Sequence, residues 1–116
     1  MGSESPKFVY KILPQAPAEP FPAQLPLSEL DAKDGFVHLS TATQVPKTAD
    51  LFFAEHTKLW VIKLELSKLA DPVKFEDSFP HLYGNFGARD VDSASRFERE
   101  QAQTWAESMS ISSWLE

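Results

Sequence analysis

Alternating apolar residues predict the two clearest strands of the chain. Residues 7–13 are apolar on both faces, with Phe8, Tyr10 and Ile12 sharing one of them. A strand that is apolar on both faces is central in a sheet or well covered. Residues 58–66 predict a second strand, with one fully apolar face and an opposite face that becomes polar as the strand proceeds.

Four shorter segments also read as extended chain: residues 36–40, 73–76, 79–83 and 91–97. Side chains two positions apart in a strand point to the same face. In the first of these segments the polar residues therefore lie together on one face, and the aliphatic residues lie on the other. A turn at Asp34-Gly35 precedes this segment, since glycine adopts positive φ angles readily.

Helical periodicity predicts two main helices. The first covers residues 46–56, with Pro46 in its first turn, and a charged second helix covers residues 98–109. The apolar residues after it, at 111, 114 and 115, are expected to dock onto the core. The first helix should face the sheet with an apolar stripe made of Val45, Ala49, Phe52 and Phe53.

Two segments have no regular pattern. Residues 1–6 predict a disordered leader. Residues 14–26 hold five prolines and predict a surface loop. A single helical turn capped by Ser28 follows at residues 27–31. Together the segments predict one domain over residues 1–116, with an α+β fold: a small mixed or antiparallel sheet of short strands and two main helices.

Composition narrows the possible functions. The net charge of −6 argues against a nucleic-acid-binding protein, but it permits a small phosphate-bearing ligand. The absence of cysteine excludes disulfides, thiolate metal sites and a cysteine nucleophile. No apolar run is long enough for a transmembrane helix and no signal peptide is visible, so no membrane partner and a cytoplasmic location are expected. The sequence leaves the oligomeric state open.

Two histidine pairs are the candidate chemistry of the chain. His38 and Ser40 share a strand face, and His81 and Tyr83 do the same in a second extended segment. If the segments are neighbours, the four side chains converge. Either pair can also be structural, as a hydrogen-bonded core histidine or a packed tyrosine. If His38 instead meets only ligand and water, the unliganded fold should tolerate its truncation.

The pattern resembles the domain of unknown function 952 family over about residues 8–97. The resemblance implies a fold like that of the ADP-ribosyltransferases, in which a His-x-Ser strand grips the nicotinamide ribose of NAD. It thereby implies NAD or an ADP-ribose-like nucleotide as ligand or substrate. The resemblance rests on three blocks: Asp34-Gly35-Phe36-Val37-His38-Leu39-Ser40, Gln44-Val45 and Phe79-Pro80-His81-Leu82-Tyr83-Gly84.

The same resemblance implies which residues of this chain form a ligand site. Glu76, His81 and Tyr83 are the catalytic candidates, because a developing oxocarbenium ion needs a nearby carboxylate. Surface solvation is the more frequent fate of such a glutamate, and Asp31 and Asp34 are weaker candidates for the carboxylate. The predicted ligand-binding residues are Asp34, His38, Ser40, Gln44, His81, Tyr83 and Arg89.

Several alternatives remain open. Arg89 can hold a phosphate or form an ion pair with a nearby carboxylate such as Asp90. No metal is expected, because two histidines without further ligand motifs do not suit zinc. The arginine-rich pattern of the RNA 2′-phosphotransferases is not visible. The chain is therefore predicted to be a small ADP-ribosyltransferase-like enzyme or a non-catalytic binding module for a nucleotide-like ligand, with a purely structural protein as third alternative.

Overall fold

The computed structural model describes residues 6–110 and 112–116; most of the predicted leader and Ile111 lie outside them. Within this part of the chain the fold is α+β, with two antiparallel three-stranded sheets in place of the one predicted. The elements are β1 (Phe8–Leu13), α1 (Glu29–Asp34), β2 (Val37–His38), α2 (Gln44–Phe52), β3 (Lys58–Glu65), β4 (Val73–Glu76), β5 (Phe79–Leu82), β6 (Val91–Glu98) and α3 (Trp105–Met109), with 3₁₀ turns at Leu66–Lys68 and Ala88–Asp90.

The first sheet has the order β1-β3-β6. Its central strand is β3. β1 lies at an edge of this sheet, but its side chains are covered on both faces. A pair of backbone hydrogen bonds covers the free edge of β1. Tyr10 N–H donates to Ser40 O at 2.8 Å, and Ser40 N–H donates to Tyr10 O at 2.9 Å. This isolated bridge connects the first sheet to the segment that follows β2.

The second sheet has the order β2-β5-β4, and it packs on one face of the first sheet. Side chains from both sheets meet there in a buried cluster that includes Val9, Ile62, Val37 and Leu82. The opposite face of the first sheet is covered by α2 and α3 through a second cluster that includes Trp105. The predicted alternation of β1 and β3 is confirmed, because each face of these strands enters its own core.

Helix α2 begins two residues before the predicted start and ends at Phe52. Proline is tolerated at position 46 because the first-turn N–H groups of a helix have no partner within the helix. Gln44 supports this start, since its side-chain Oε1 accepts from Thr41 N–H at 2.9 Å. The predicted apolar stripe is wrong at Phe52, which is 74% exposed, whereas Val45 and Ala49 are buried.

The predicted helix over residues 98–109 is wrong except at its end. Strand β6 continues to Glu98, and the next residues form a turn around Arg99, whose guanidinium donates to backbone carbonyls including His56 O at 3.0 Å. Helix α3 starts only after Thr104, whose hydroxyl accepts from Glu107 N–H at 3.0 Å. Charge alone had suggested the longer helix, but a capping box marks its true start.

The polar end predicted for one face of β3 contains a buried lysine. Lys63 is 2% exposed, and its Nζ lies 2.8 Å from Glu116 Oε2. The same ammonium lies 4.7 Å from the ring centroid of Trp114 and 4.8 Å from that of Phe8. Cation–π contacts and an ion pair together replace the water that the ammonium loses. Trp114 and Leu115 dock onto the core as predicted.

The β4–β5 hairpin turns through two residues with positive φ, Asp77 at 53° and Ser78 at 72°. Both central residues of a type I′ hairpin turn need positive φ, a conformation that glycine adopts without strain. We expect Ser78→Gly to stabilise the protein by about 0.5–1 kcal/mol, since relief of backbone strain exceeds the entropy that glycine adds to the unfolded chain. Urea unfolding measures this change.

The matched control is Ser67→Gly, in the 3₁₀ turn Leu66–Lys68, where glycine has no strain to relieve. We expect that control to destabilise the protein slightly. Equal destabilisation by both changes would contradict the strain assigned to the hairpin turn.

Candidate functional site

A cleft of about 700 Å³ lies where the two sheets, α1 and α2 meet. Its walls come from the end of β1, from α1, from the segment containing β2, from α2 and from the β4–β5 hairpin. Most of its lining is apolar, and the exposed side chains of Leu30 and Phe52 form part of it. The volume falls within the range of small-molecule sites. The exposure of Phe52 therefore has a structural context: it lines the cleft instead of the core.

Strand register places the predicted site residues on one face of the second sheet. His38 is the register partner of His81, and His81 is in turn the register partner of Lys74. The two imidazole rings lie 5.9 Å apart, so the sequence-based expectation that both histidines line one cleft is confirmed. Phe36 joins them by stacking on His81, with ring centroids 4.2 Å apart and an interplanar angle of 17°.

His38 is held by carboxylates on both sides of its ring. Nδ1 lies 2.6 Å from Asp31 Oδ1, and Nε2 lies 3.0 Å from Asp34 Oδ2. Contacts at both ring nitrogens therefore fix the orientation of the His38 imidazole.

Asp31 connects this histidine to Lys11. Its Oδ2 lies 2.6 Å from Lys11 Nζ, its Oδ1 also accepts from the His38 backbone N–H at 3.2 Å, and the residue is 2% exposed. Burial raises the pKa of Asp31, but the hydrogen bonds from Lys11 and His38 outweigh it and hold the pKa below its usual value. Asp31 is thus the buried carboxylate that holds both the Lys11 ammonium and the His38 ring in place.

This network changes the role expected for His38. The sequence suggested that truncation of His38 leaves no buried partner unpaired, but its Nδ1 is paired with a buried carboxylate. His38 is therefore structural as well as cleft-lining. Asp31 entered the sequence interpretation only as a weaker catalytic candidate. Its position three residues after the helix cap Ser28 was the available signal, since this spacing directs it into the first turn of α1.

A second polar group is centred on Glu76. Its Oε1 accepts from the Tyr83 hydroxyl at 2.6 Å and lies 2.6 Å from His81 Nδ1. The hydrogen bond from Tyr83 is the main cause that holds the pKa of Glu76 below its usual value, and the hydrogen bond from His81 is the next. The Tyr83–Glu76 bond also raises the pKa of Tyr83. When Nδ1 of His81 donates to Glu76, Nε2 is the other ring nitrogen, and no hydrogen bond within residues 6–110 and 112–116 occupies that atom.

Two further predicted ligand residues, Ser40 and Gln44, have different positions relative to the cleft. Ser40 lines the cleft but is only 4% exposed. Gln44 lies beside the cleft and ties α2 to the hairpin turn, because its Nε2 donates to Ser78 O at 2.7 Å. Gln44 therefore positions the strand end that carries Glu76.

The structure does not bring Arg89 to the cleft. Arg89 lies in the exposed 3₁₀ turn Ala88–Asp90, which packs against the proline-rich loop through a hydrogen bond from Ala88 N–H to Pro22 O at 2.9 Å. Gly87 permits this approach, since a Cβ there would lie 1.6 Å from Ala23 O. The predicted phosphate contact from Arg89 is thus removed from the site by the packing of this turn.

Metal-binding clusters and membrane-spanning helices are two other features of interest for the described residues. Among residues 6–110 and 112–116, no three or more histidine, cysteine, aspartate or glutamate side chains are grouped to hold a metal ion. In the same part of the chain, no helix has the length and apolar character needed to cross a bilayer.

Comparison with known sequences identifies the family. Residues 14–94 match the sequence model described as "Protein of unknown function (DUF952)". The chain belongs to the DUF952 family. The matched residues contain β2, the β4–β5 hairpin and all of the predicted site residues, whereas the end of β1 that lines the cleft precedes them. A search of curated proteins finds no match.

Solved structures of one similar protein share the fold. The chain is similar to protein CC0527 from Caulobacter crescentus, whose crystal structure aligns with a TM-score of 0.71 at 28% identity, over 84% of this chain and 91% of that chain. The solution NMR structure of CC0527 aligns with a TM-score of 0.64 at 26% identity, over 81% of this chain and 87% of that chain. These alignments support the small α+β architecture with two antiparallel sheets.

Proposed function

We propose that this DUF952 protein is an ADP-ribosyltransferase-like enzyme that binds NAD or a related ADP-ribose-bearing nucleotide in the cleft. The single observation that carries the proposal is the position of Glu76. Its carboxylate lines the same cleft as His38 and is hydrogen-bonded to His81, the register partner of His38. A carboxylate at this position supports the proposal, because a developing oxocarbenium ion needs a nearby negative charge.

The proposed reaction breaks the bond between ribose C1′ and the nicotinamide nitrogen. The bonding electrons leave with nicotinamide, which becomes neutral, and positive charge develops on the ribose. The Glu76 carboxylate stabilises that charge. A hydroxyl, water or amine then bonds to C1′, and His81 Nε2 accepts the proton that this nucleophile loses.

Ring stacking supports the choice of a planar nucleobase-like group. Phe36 and His81 already form a stacked pair on the sheet face, and Tyr83 lies beside them with its ring centroid 5.3 Å from that of Phe36. Aromatic side chains of this kind favour flat ligands through offset or edge-to-face contacts. The apolar lining of the cleft favours the same type of group.

One observation favours a second candidate, a binding module without turnover. Glu76 Oε1 already accepts hydrogen bonds from both Tyr83 and His81. A carboxylate engaged in this way can orient His81 for ligand binding without taking part in chemistry. In that case the ligand remains intact after binding.

Thermal-shift measurements with NAD, NADP, ADP-ribose and AMP test the proposal. We expect stabilisation by at least NAD, because a ligand at about 100 times its dissociation constant adds about 2.7 kcal/mol to the stability of the folded state. Release of nicotinamide from bound NAD then separates the enzyme from the binding module. A flat thermal response to all four compounds would remove the support for a nucleotide ligand.

A further inference from the structure

The charged groups that line the cleft are mostly negative. Among the described residues that line the cleft, Lys11 is the only lysine or arginine. The same lining contains three carboxylates, those of Asp31, Glu76 and Asp77. Asp34, which contacts His38, is not among the lining residues. Resting on the proposed function, we infer that the substrate class is a cationic N-riboside, such as a pyridinium riboside, and that phosphate groups contribute no affinity.

Lys11 is already committed to other partners. Its ammonium lies 2.6 Å from Asp31 Oδ2, it also donates to His38 O at 3.3 Å, and its side chain is 12% exposed. A phosphate would have to compete with a buried carboxylate for this cation. Separating that pair leaves Asp31 buried and uncompensated, which is strongly unfavourable. Lys11 is therefore a poor phosphate ligand.

Two arginines are engaged elsewhere. Arg96 forms an ion pair with Glu98, and Arg99 donates to backbone carbonyls such as Gln103 O at 3.0 Å. Lys74 shares the sheet face with His81. Its Nζ lies over the ring of Tyr83, 5.2 Å from the centroid, and Lys74 is not among the residues that line the cleft.

A pyridinium ring complements these surroundings. The positive charge is delocalised over a flat ring, which can lie beside the His81 ring and close to the Glu76 carboxylate, two groups that line the cleft. A diphosphate brings negative charge towards a site with several carboxylates, and this juxtaposition is unfavourable. The nicotinamide riboside end of a dinucleotide then enters the cleft, and any phosphates remain in solvent.

Calorimetric titrations of the full chain with nicotinamide riboside, NAD and ADP-ribose test the inference. We expect the riboside and NAD to bind with dissociation constants within about threefold of each other, and ADP-ribose to bind at least about tenfold more weakly. Added salt should weaken binding of the riboside, because it screens the attraction between the cation and the carboxylates. The variant Lys74→Ala should leave the ratio between riboside and NAD unchanged.

Each contrary result has a distinct meaning. If NAD and ADP-ribose bind at least about tenfold more tightly than the riboside, and Lys74→Ala abolishes that difference, phosphate recognition by Lys74 overturns the inference while the proposed function stands. ADP-ribose that binds as tightly as the riboside also overturns it, since a cationic ring is then unnecessary. If no compound binds, the proposed function fails together with the inference.

Discussion

Asp31→Ala is expected to lower the free energy of unfolding by about 3–5 kcal/mol, because removal of one partner from a buried ion pair leaves an uncompensated charge. Asp31 is 2% exposed and contacts both Lys11 and His38 through its side chain. Without it, the Lys11 ammonium loses its carboxylate partner and the His38 ring loses a hydrogen-bond partner. Urea unfolding measures the loss.

The pH dependence of this loss provides an internal check. The pKa of Asp31 is lowered in the folded protein, so the unfolded chain takes up the proton more readily. The contribution of Asp31 is therefore complete above the ordinary aspartate pKa of about 3.9 and is lost as the pH falls through the lower folded-state pKa. We expect the difference between the parent and Asp31→Ala to shrink in acid.

Lys33→Ala is the matched control, since Lys33 is an exposed charged residue in the same helix. Its effect should stay within about 0.5 kcal/mol. A loss below about 1 kcal/mol for Asp31→Ala would show that the buried network contributes little to stability. Comparison with Lys11→Ala and the double variant isolates the energy of the Lys11–Asp31 pair.

Glu76→Gln is expected to reduce the turnover of NAD by about 100- to 1,000-fold, as is typical when one electrostatic stabiliser of a transition state is removed. The amide keeps the size of the side chain but cannot offer a negative charge to the developing ribose cation. Glu76 is exposed, so the fold should be affected by less than about 0.5 kcal/mol. Initial rates of nicotinamide release and a melting curve on the same sample measure both effects.

Glu55→Gln is the control for Glu76→Gln, because Glu55 is an exposed glutamate that does not line the cleft. Its turnover should equal that of the parent. If Glu76→Gln turns over NAD at the parental rate, Glu76 has no catalytic role. If Glu76→Gln binds NAD normally, and neither this variant nor the parent protein releases nicotinamide, the protein is a binding module and not an enzyme.

The fold features that sequence predicted are those encoded by local alternation. Every second residue of a strand had to face one side, so Val9 and Tyr10 could be assigned to opposite faces of β1, and Val61 and Ile62 to opposite faces of β3. The convergence of His38 and His81 followed from the same reasoning, once their strands were assumed to pair. The division into two sheets was not visible, because it depends on which edges pair across long stretches of chain.

The wrong sequence-based predictions arise where contacts between residues far apart in sequence decide the structure. The segment after Glu98 reads as helical from its composition, but Arg99 holds it in a turn through contacts with residues far away in sequence. Lys63 and Asp31 are charged side chains that alternation assigns to solvent, and both are buried by partners that only tertiary structure supplies. Arg89 was placed at the site by its sequence proximity to His81, although the packing of Gly87 directs the chain elsewhere.

The bridge between Tyr10 and Ser40 has a consequence for which segments must remain together to form the cleft. It joins β1, whose end lines the cleft, to the segment that carries His38. These segments belong to different sheets, so both sheets supply walls of the cleft. A fragment that carries the histidine motifs without β1 would therefore hold the residues of the site without its shape.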